Sequence, residues 1–181
     1  MKPFTIVANN CWSNKVYEHL GVPYQTPLTS TFLHPEDYLA IARNFRWYID
    51  QSIEFIDKSR HEVIRSRKAA NYPIGIVAGE VEIHFLHYET QDEVIQKWKR
   101  RASRVVEDDD RLFFKLCDDL GCTEEHIEQF HLLPFKNKIC YTSKPYPYLK
   151  HALHIKGKGD CVSFEDASNY RYFDAPKWVT E

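Results

Sequence analysis

The run Phe4-Thr5-Ile6-Val7-Ala8 (FTIVA) decides the fold predicted for this chain. It is short, continuously apolar and rich in β-branched residues, a pattern typical of a strand buried on both faces. Such strands form parallel sheets whose two faces are covered by helices. The polar pair Asn9-Asn10 follows at once, so the chain leaves the sheet there, and Ser13 is suited to cap a helix.

Strand and helix patterns alternate along the rest of the chain. Further strands are predicted over 73–77, 81–88, 112–117, 138–142 and 151–155. Ala78-Gly79-Glu80 predicts a hairpin turn between the first two of these. Helices are predicted after Pro35, from Thr90 to about Val106, and from Thr123 to Pro134. We expect a single three-layer α/β domain over residues 1–181 around a mixed, mainly parallel sheet, with a looser tail over 157–181.

Composition excludes several classes of protein. At 181 residues the chain is about one domain long. Twenty-four Lys and Arg against 26 Asp and Glu give a net charge of -2, too little positive charge for nonspecific binding to nucleic acid. No apolar run approaches the roughly 20 residues that span a bilayer, and the first residues do not resemble a signal peptide. We expect a cytoplasmic protein with neither a transmembrane segment nor a nucleic-acid partner.

The five cysteines point to a reduced chain. Their number is odd, and none forms a Cys-x-x-Cys pair. The spacing fits neither a zinc ribbon nor a disulfide framework, so each thiol is expected to be buried and inert. We assign no metal ligands on this basis and leave the cofactor unassigned.

Polar residues after the first strand form the first candidate site. Ligands of open α/β sheets bind outside the carboxyl ends of the strands, where Asn9, Asn10, Cys11 and Trp12 fall. Asn amides hydrogen-bond to hydroxyl groups, and a helix start can lower a thiol pKa enough to make Cys11 a nucleophile. The alternative is a turn with a buried thiol and a Trp side chain that fills space.

Two later strands also end in polar residues. Asp118 and Asp119 follow the strand LFFKLC, where they can act as a general base or hold a divalent ion, or where Asp119 can cap backbone near Gly121. Lys144 and Tyr146 lie in a stiff loop that suits stacking on a sugar or a base, or simply covers the sheet edge. The run 108–110 precedes its strand, so we interpret it as a solvated turn.

The histidines of the second hairpin strand lie on opposite faces if the strand is regular. His84 shares a face with Glu82, which predicts an oriented acid–base pair. His87 lies nearer the strand end and is the better candidate for proton transfer in a cleft. Each can instead be a hydrogen-bonded core histidine.

The helix after Thr90 carries a stripe of cations. Lys97, Arg101 and Arg104 stack at spacings of four and three residues, and Arg100 is adjacent. A phosphate or a nucleotide sugar would neutralise this stripe, because Arg binds phosphate oxygens in pairs. Glu93 and the acidic run 107–110 are the alternative counter-charges.

Several segments together resemble a known family. They are ANNCW (8–12), YPIGIVAGEVEIHFLHY (72–88), KWKRR (97–101), DDLGCTEEHI (118–127) and LPFKNKICYTSKPYP (133–147). The chain from Phe4 to about Ile155 is similar to a bacterial domain family of unknown function whose members are described as exopolysaccharide or capsular polysaccharide biosynthesis proteins. The resemblance implies a cytoplasmic role in that pathway, with other enzymes of the pathway as partners. It assigns no role to any residue.

The residues and the resemblance together predict a transferase-like enzyme acting on a phosphorylated or nucleotide-activated sugar. Asn9 and Asn10 would orient hydroxyls, Asp118 or Asp119 would act as base, and His87 would assist proton transfer. A smaller group transfer onto a sugar fits equally well. Two other functions remain open, a non-catalytic module that binds a glycan precursor or a partner, and a hydrolase or acyltransferase that depends on Cys11.

Overall fold

The computed structural model describes residues 1–66, 71–156, 162 and 164–181. The strands are β1 Thr5–Ala8, β2 Ile53–Ile56, β3 Ile74–Val77, β4 Val81–His84, β5 Leu112–Cys117, β6 Asn137–Thr142 and β7 Ala152–His154. The helices are α1 Trp12–Leu20, α2 Pro35–Arg43, α3 Phe45–Ile49, α4 Glu62–Arg65, α5 Gln91–Ala102, α6 Glu124–Leu132, α7 Phe164–Ala167 and α8 Ala175–Thr180. A 3-10 turn covers Asp109–Arg111.

Four parallel strands form sheet A in the order β1-β5-β6-β7. In the pairing of β1 with β5, Thr5 lies opposite Leu112 and Ala8 lies opposite Lys115. All four residues of β1 are buried. The prediction from FTIVA of a parallel strand covered on both faces is therefore confirmed.

Each face of sheet A has its own apolar core. On one face, Ile6 and Phe113 pack against residues of α1 and α8. On the other face, Val7 and Phe114 pack against α2, α6 and a second sheet. Alternate strand residues point to opposite faces, so both cores come from the same strands. The predicted α/β class is confirmed.

The predicted hairpin exists, but it belongs to a separate sheet. Sheet B has the order β2-β3-β4 and is antiparallel. Ala78 and Gly79 turn the chain between β3 and β4 with φ of 54° and 74°. Beyond β4 lies an isolated bridge between Phe32 and His84, so sheet B extends toward residue 32. The segment before β3 forms β2 and the short helix α4 as far as it is described.

The starts of α2, α5 and α6 follow their sequence signals. Thr90 caps α5 by accepting a hydrogen bond from the Glu93 N–H. Thr123 begins α6 with a capping box.

The cap predicted for the first helix is wrong, because Cys11 is the N-cap of α1, makes no side-chain cap hydrogen bond, and Ser13 lies inside the helix. One helix end also differs. α5 ends at Ala102, four residues before the predicted end at Val106. Within the described residues, no helix is both long and apolar enough to cross a membrane.

The predicted looser tail is described in part. Residues 157–161 and 163 lie outside the described residues, and Cys161 is among them. Ala175 and Val179 of α8 are fully buried in the core beside α1. The last helix is thus part of the layer that covers sheet A.

The helices that follow the neighbouring strands β1 and β5 lie on opposite faces of sheet A. α1 packs Trp12 and Val16 onto one face. α6 packs Ile127 and Phe130 onto the other. The chain therefore leaves the two strand ends in opposite directions and opens a crevice between them. Crevices of this kind are the usual ligand sites of open α/β sheets.

The side chain of Asn9 joins the two strands at the base of this crevice. Its Oδ1 accepts a hydrogen bond from the Cys117 N–H at 2.9 Å, and its Nδ2 donates to the Cys117 carbonyl at 3.1 Å. Asn9 is fully buried. The amide predicted to orient a substrate hydroxyl thus extends the pairing of β1 with β5.

Replacing Asn9 should therefore weaken the fold. We expect Asn9→Ala to lower the free energy of unfolding by about 2–4 kcal/mol, since it leaves a buried N–H and a buried carbonyl without partners. Urea unfolding followed by circular dichroism measures the change. Asn71→Ala, at an exposed position, is the control and should stay within about 0.5 kcal/mol. Equal stability of the two variants would contradict the role given to Asn9.

Candidate functional site

Residues from β1 and β5 meet at the crevice between the strand ends. The Asn10 Nδ2 donates to Asp119 Oδ2 at 3.4 Å. The Asn10 Oδ1 accepts from the Trp12 N–H at 3.2 Å and from Lys115 Nζ at 2.9 Å. The structure thus brings together Asn10, Trp12 and Asp119, which the sequence predicts, with Lys115, which it does not.

Lys115 is a fully buried cation. Its Nζ lies 5.5 Å from the centre of the Trp12 ring and 5.4 Å from that of Tyr141. Among the described residues, no carboxylate oxygen lies within 4.0 Å of it. Burial lowers the pKa of Lys115, while Cys117 and Asp119 act in the opposite direction. The sequence signal for this residue was a lysine inside the apolar strand LFFKLC. Burying a charge there costs free energy, so such a residue indicates a functional site.

The two aspartates after β5 have different environments. Asp118 Oδ2 accepts from the Ser143 N–H and, at 2.7 Å, from its hydroxyl, while Oδ1 accepts from the Val162 N–H at 2.9 Å. Burial raises the pKa of Asp118, and these hydrogen bonds oppose that rise. Asp118 therefore ties the end of β6 and residue 162 to β5.

Asp119 is the more accessible of the two acids, being only partly buried. Its Oδ1 accepts from the Leu120 N–H at 2.8 Å, and its Oδ2 faces Asn10. A carboxylate with one oxygen fixed by backbone and the other turned to an amide in a crevice is oriented for work as a base.

Cys11 precedes α1 beside the same crevice. Its Sγ lies 3.6 Å from the Thr31 carbonyl oxygen. Burial raises the pKa of the thiol to about 11, although Lys115 opposes this shift. The thiol is therefore protonated at neutral pH, and the geometry does not favour the hydrolase or acyltransferase that depends on a thiolate.

The other predicted site residues lie around or away from this crevice. His87 is exposed in the turn that follows β4. Because β4 belongs to sheet B, this turn is not one of the strand ends of sheet A. Lys144 is exposed just beyond β6. Tyr146 is partly buried against the core beside α6. Burial is the main cause that raises the pKa of its hydroxyl, and the nearby Glu124 and Asp118 carboxylates raise it further.

The cationic stripe on α5 is largely occupied by protein partners. Lys97 pairs with Glu93. Arg101 is only 6% exposed, donates to the Tyr88 hydroxyl, and stacks on Tyr24 with 5.0 Å between its Cζ and the ring centre. Both Lys97 and Arg101 are therefore paired within the protein, which was the alternative to binding a phosphate.

Arg104 is exposed and lies 3.5 Å from the Tyr24 carbonyl oxygen. It lines a cavity of about 720 Å³ together with Arg111, which precedes β5. This cavity is thus at the amino end of sheet A. The acidic turn 108–110 is at the same end, where Asp109 pairs with Arg46 and Asp110 pairs with Lys136, both exposed.

A second group of polar side chains, the histidine cluster, consists of His34, Glu36, His61 and His126. The His34 and His61 rings stack with centres 3.9 Å apart and planes 16° apart. His34 Nδ1 lies 4.0 Å from Glu36 Oε2, and His126 Nε2 lies 4.0 Å from Glu36 Oε1. Burial lowers the pKa of His34 and neighbouring His61 lowers it further, while Glu36 and Asp37 oppose the shift.

The histidine cluster adjoins the crevice. The Leu33 N–H donates to the Asn9 carbonyl at 2.8 Å, which fixes the residue before His34 beside β1. Gly121, two residues after Asp119, has φ of 80°, and a Cβ there would overlap the His34 imidazole. The only sequence signal was His34-Pro35-Glu36 at a helix start, because the other histidines are distant in the chain.

A buried network supports the cluster from sheet B. His84 Nε2 lies 2.7 Å from Glu82 Oε1, as the shared strand face predicts, and Ser59 also donates to this oxygen. Burial acts to raise the pKa of Glu82, but hydrogen bonds from His84, Ser59 and the Arg60 N–H outweigh it and lower the pKa to about 2. The Glu82 N–H donates to Asp37 Oδ1 at 3.0 Å, which links this network to α2.

Comparisons with known proteins extend over nearly the whole chain. A family model described as Domain of unknown function (DUF1919) matches residues 1–180. An "Uncharacterized protein" of Haemophilus influenzae (strain ATCC 51907 / DSM 11121 / KW20 / Rd) is 34% identical over 181 residues. The matched region covers 97% of this chain and 82% of that relative. Both matches take in the stretches that form the crevice and the histidine cluster.

The Glu82 network predicts a specific dependence of stability on pH. The folded-state pKa lies below the unfolded value of about 4.3, so the ionised form stabilises the fold above that pH. This contribution is lost as the pH falls from about 4.5 to about 2. We expect Glu82→Gln to cost about 3 kcal/mol at pH 7, because it leaves buried partners unmatched, and less at pH 3.

Urea unfolding at pH 7 and pH 3 measures this difference. Glu54→Gln removes the same charge from an exposed position on β2 and is the matched control. If Glu82→Gln lowers the free energy of unfolding by the same amount at both pH values, the ionised carboxylate is not what stabilises the network.

Proposed function

We propose a function for this chain, which belongs to the DUF1919 family of domains of unknown function: it is a transferase-like enzyme that acts on a phosphorylated or nucleotide-activated sugar. The crevice at the carboxyl ends of β1 and β5 is its active site. The observation that carries the proposal is the hydrogen-bonded arrangement of Asn10, Lys115 and Asp119 at this point of the sheet.

The buried charge of Lys115 is the strongest support for a site here. An ammonium group is costly to bury, and a well-packed apolar residue would stabilise the strand better. Its position three residues from the end of β5 brings the charge to Asn10, which is only 5% exposed at the crevice. A positive charge placed there favours an anionic substrate and holds Asn10 in one orientation.

Asp119 is the residue that we assign as general base. In the proposed step, an acceptor hydroxyl gives its proton to Asp119 while its oxygen forms a bond to the sugar carbon that carries the phosphate. The bond from that carbon to the phosphate oxygen breaks, and the phosphate or nucleoside diphosphate leaves with the electron pair. Asn10 is a positioning residue, because it acts on the reacting groups through Asp119. Lys115 positions Asn10 and adds its charge to the site.

The start of α1 supplies a place for the phosphate. Its first turn contains no acidic residue, and Cys11 at the N-cap makes no side-chain cap hydrogen bond. The positive end of the helix dipole attracts phosphate oxygens there, beside the Trp12 N–H that donates to Asn10 Oδ1. Lys144, just beyond the end of β6, adds an exposed positive charge at the same edge. Tyr146 provides a ring beside this edge for the sugar or the base.

The pathway and compartment in the proposal rest on the sequence resemblance. The NNCW and IHFLHY blocks are similar to those of surface-polysaccharide biosynthesis proteins, so we place the reaction in exopolysaccharide or capsule synthesis, beside other enzymes of that pathway. The Cys11, Cys122 and Cys140 thiols form no disulfide with one another, as is usual in the cytoplasm.

Asp119→Asn tests the proposal, with Asp110→Asn as the matched control. Asp110 makes the same change possible at the opposite end of β5, where it is solvent-exposed. The probes are UDP-glucose, GDP-mannose and glucose 1-phosphate, with binding measured by calorimetry and release of nucleoside diphosphate or phosphate measured with water as acceptor. We expect at least one probe to bind, and Asp119→Asn to slow release by about a hundredfold or more while affinity changes less than tenfold.

Three outcomes would overturn the proposal. If none of the three probes binds the wild-type chain, the proposed substrate class is wrong. If release is equally fast in the wild type and in Asp119→Asn, Asp119 is not the general base. Tight binding with no release by the wild type replaces the enzyme with a non-catalytic binding module for a glycan precursor.

A further inference from the structure

We propose that His34, Glu36 and His61 bind a divalent transition-metal ion of the zinc class. The inference goes beyond the proposed function, because it requires neither the sugar nor the crevice base. It rests on ligand geometry, on one buried nitrogen without a partner, and on a carboxylate that orients the second imidazole.

The first observation is the state of His34. Its side chain is 9% exposed, and its Nδ1 is buried with no hydrogen-bond partner. Buried polar atoms nearly always have partners, since an unsatisfied one costs about 1–3 kcal/mol. The nearest opposite charge is Glu36 Oε2 at 4.0 Å, too far for a hydrogen bond. A metal ion between the two would satisfy both atoms.

The second observation is the convergence of ligand atoms. One nitrogen or oxygen from each of His34, Glu36 and His61 lies within 4.8 Å of the others. Two ligands at about 2.0–2.2 Å from a tetrahedral zinc ion are roughly 3.3 Å apart. The Glu36 side chain is 67% exposed, so rotation about its own bonds closes the remaining gap without moving the core.

The third observation is the support behind His61. Its Nε2 lies 2.5 Å from Asp37 Oδ2, while Asp37 Oδ1 accepts from the Glu82 N–H. A carboxylate on one imidazole nitrogen fixes the ring and leaves the other nitrogen, Nδ1, for a metal. Asp37 is itself buried, so the support is rigid.

The ligand set indicates the class of ion. Two imidazoles and a carboxylate suit zinc and neighbouring divalent ions, and three protein ligands leave one coordination position for water or a substrate oxygen. His126 Nε2 lies 4.0 Å from the second Glu36 oxygen, so this imidazole is beside the ligand set without a hydrogen bond to it. Its Nδ1 is used by the Thr123 cap. Because Gly121 has no side chain, the His34 ring fits against it, and a Cβ at position 121 would overlap that ring.

Metal titration of the full-length chain tests the site directly. The protein is treated with EDTA, dialysed, and titrated with Co²⁺, whose visible absorption reports its coordination, and then with Zn²⁺ as competitor. We expect one Co²⁺ per chain, displaced by one Zn²⁺. His34→Gln and Glu36→Gln should each weaken binding at least tenfold.

Two variants serve as controls. Glu62→Gln removes a negative charge next to His61 without removing a ligand, and His19→Gln removes an exposed histidine. Neither should change the affinity. If His34→Gln does not fold, Glu36→Gln carries the test, since that side chain is exposed and makes no close contact with the core.

Absence of stoichiometric Co²⁺ binding by the wild type would overturn the site. So would equal losses in Glu36→Gln and Glu62→Gln, which would show that the ion follows the surface charge alone. No sugar is present in these titrations, so their failure is independent of failure of the proposed transferase.

Discussion

The parallel pairing of β1 with β5 is the constraint on which the rest of the structure depends. It joins strands that are more than a hundred residues apart in the chain, and the fully buried Asn9 amide extends the pairing by bonding to both backbone groups of Cys117. Since α1 and α6 then leave on opposite faces, the two strand ends are separated by a crevice rather than covered by a helix. The same pairing aligns Ala8 with Lys115 and so determines which side chains reach that crevice.

A charge buried in a packed strand needs a compensating arrangement. Lys115 obtains it from the Asn10 carbonyl oxygen and from the faces of Trp12 and Tyr141. These partners are neutral, and the carboxylate of Asp119 acts on the ammonium only from beyond 4.0 Å, so it offsets the charge in part. A carboxylate partner would have stabilised the ion but abolished its attraction for an anion. The choice of neutral partners therefore fits a site for a charged ligand better than it fits a purely structural role.

Local patterns predicted the elements better than they predicted the meeting of side chains. The run FTIVA was sufficient to predict a parallel strand, because a strand that is buried on both faces needs an apolar residue at nearly every position. The hairpin was predicted as well, but not its separation into sheet B, which depends on β2 and on the bridge between Phe32 and His84. The spacing offered Glu93 as a counter-charge for the stripe, and its pairing with Lys97 is confirmed. The Tyr88 partner of Arg101 comes from another part of the fold and is shown only by the folded chain. The histidine cluster was missed because its members come from three separate segments.

The crevice and the histidine cluster are connected through the backbone rather than through a shared side chain. On one side, the Leu33 N–H bonds to the Asn9 carbonyl, so His34 is placed by the strand that also places Asn10. On the other side, Gly121 follows Asp119 by two residues and packs against the His34 ring. Any shift of the turn after β5 must therefore move the proposed base and press on the proposed metal ligand together. An ion held at His34 would in turn restrict that turn, and with it the position of Asp119. The turn after β5 is therefore the structural link between the two proposed centres.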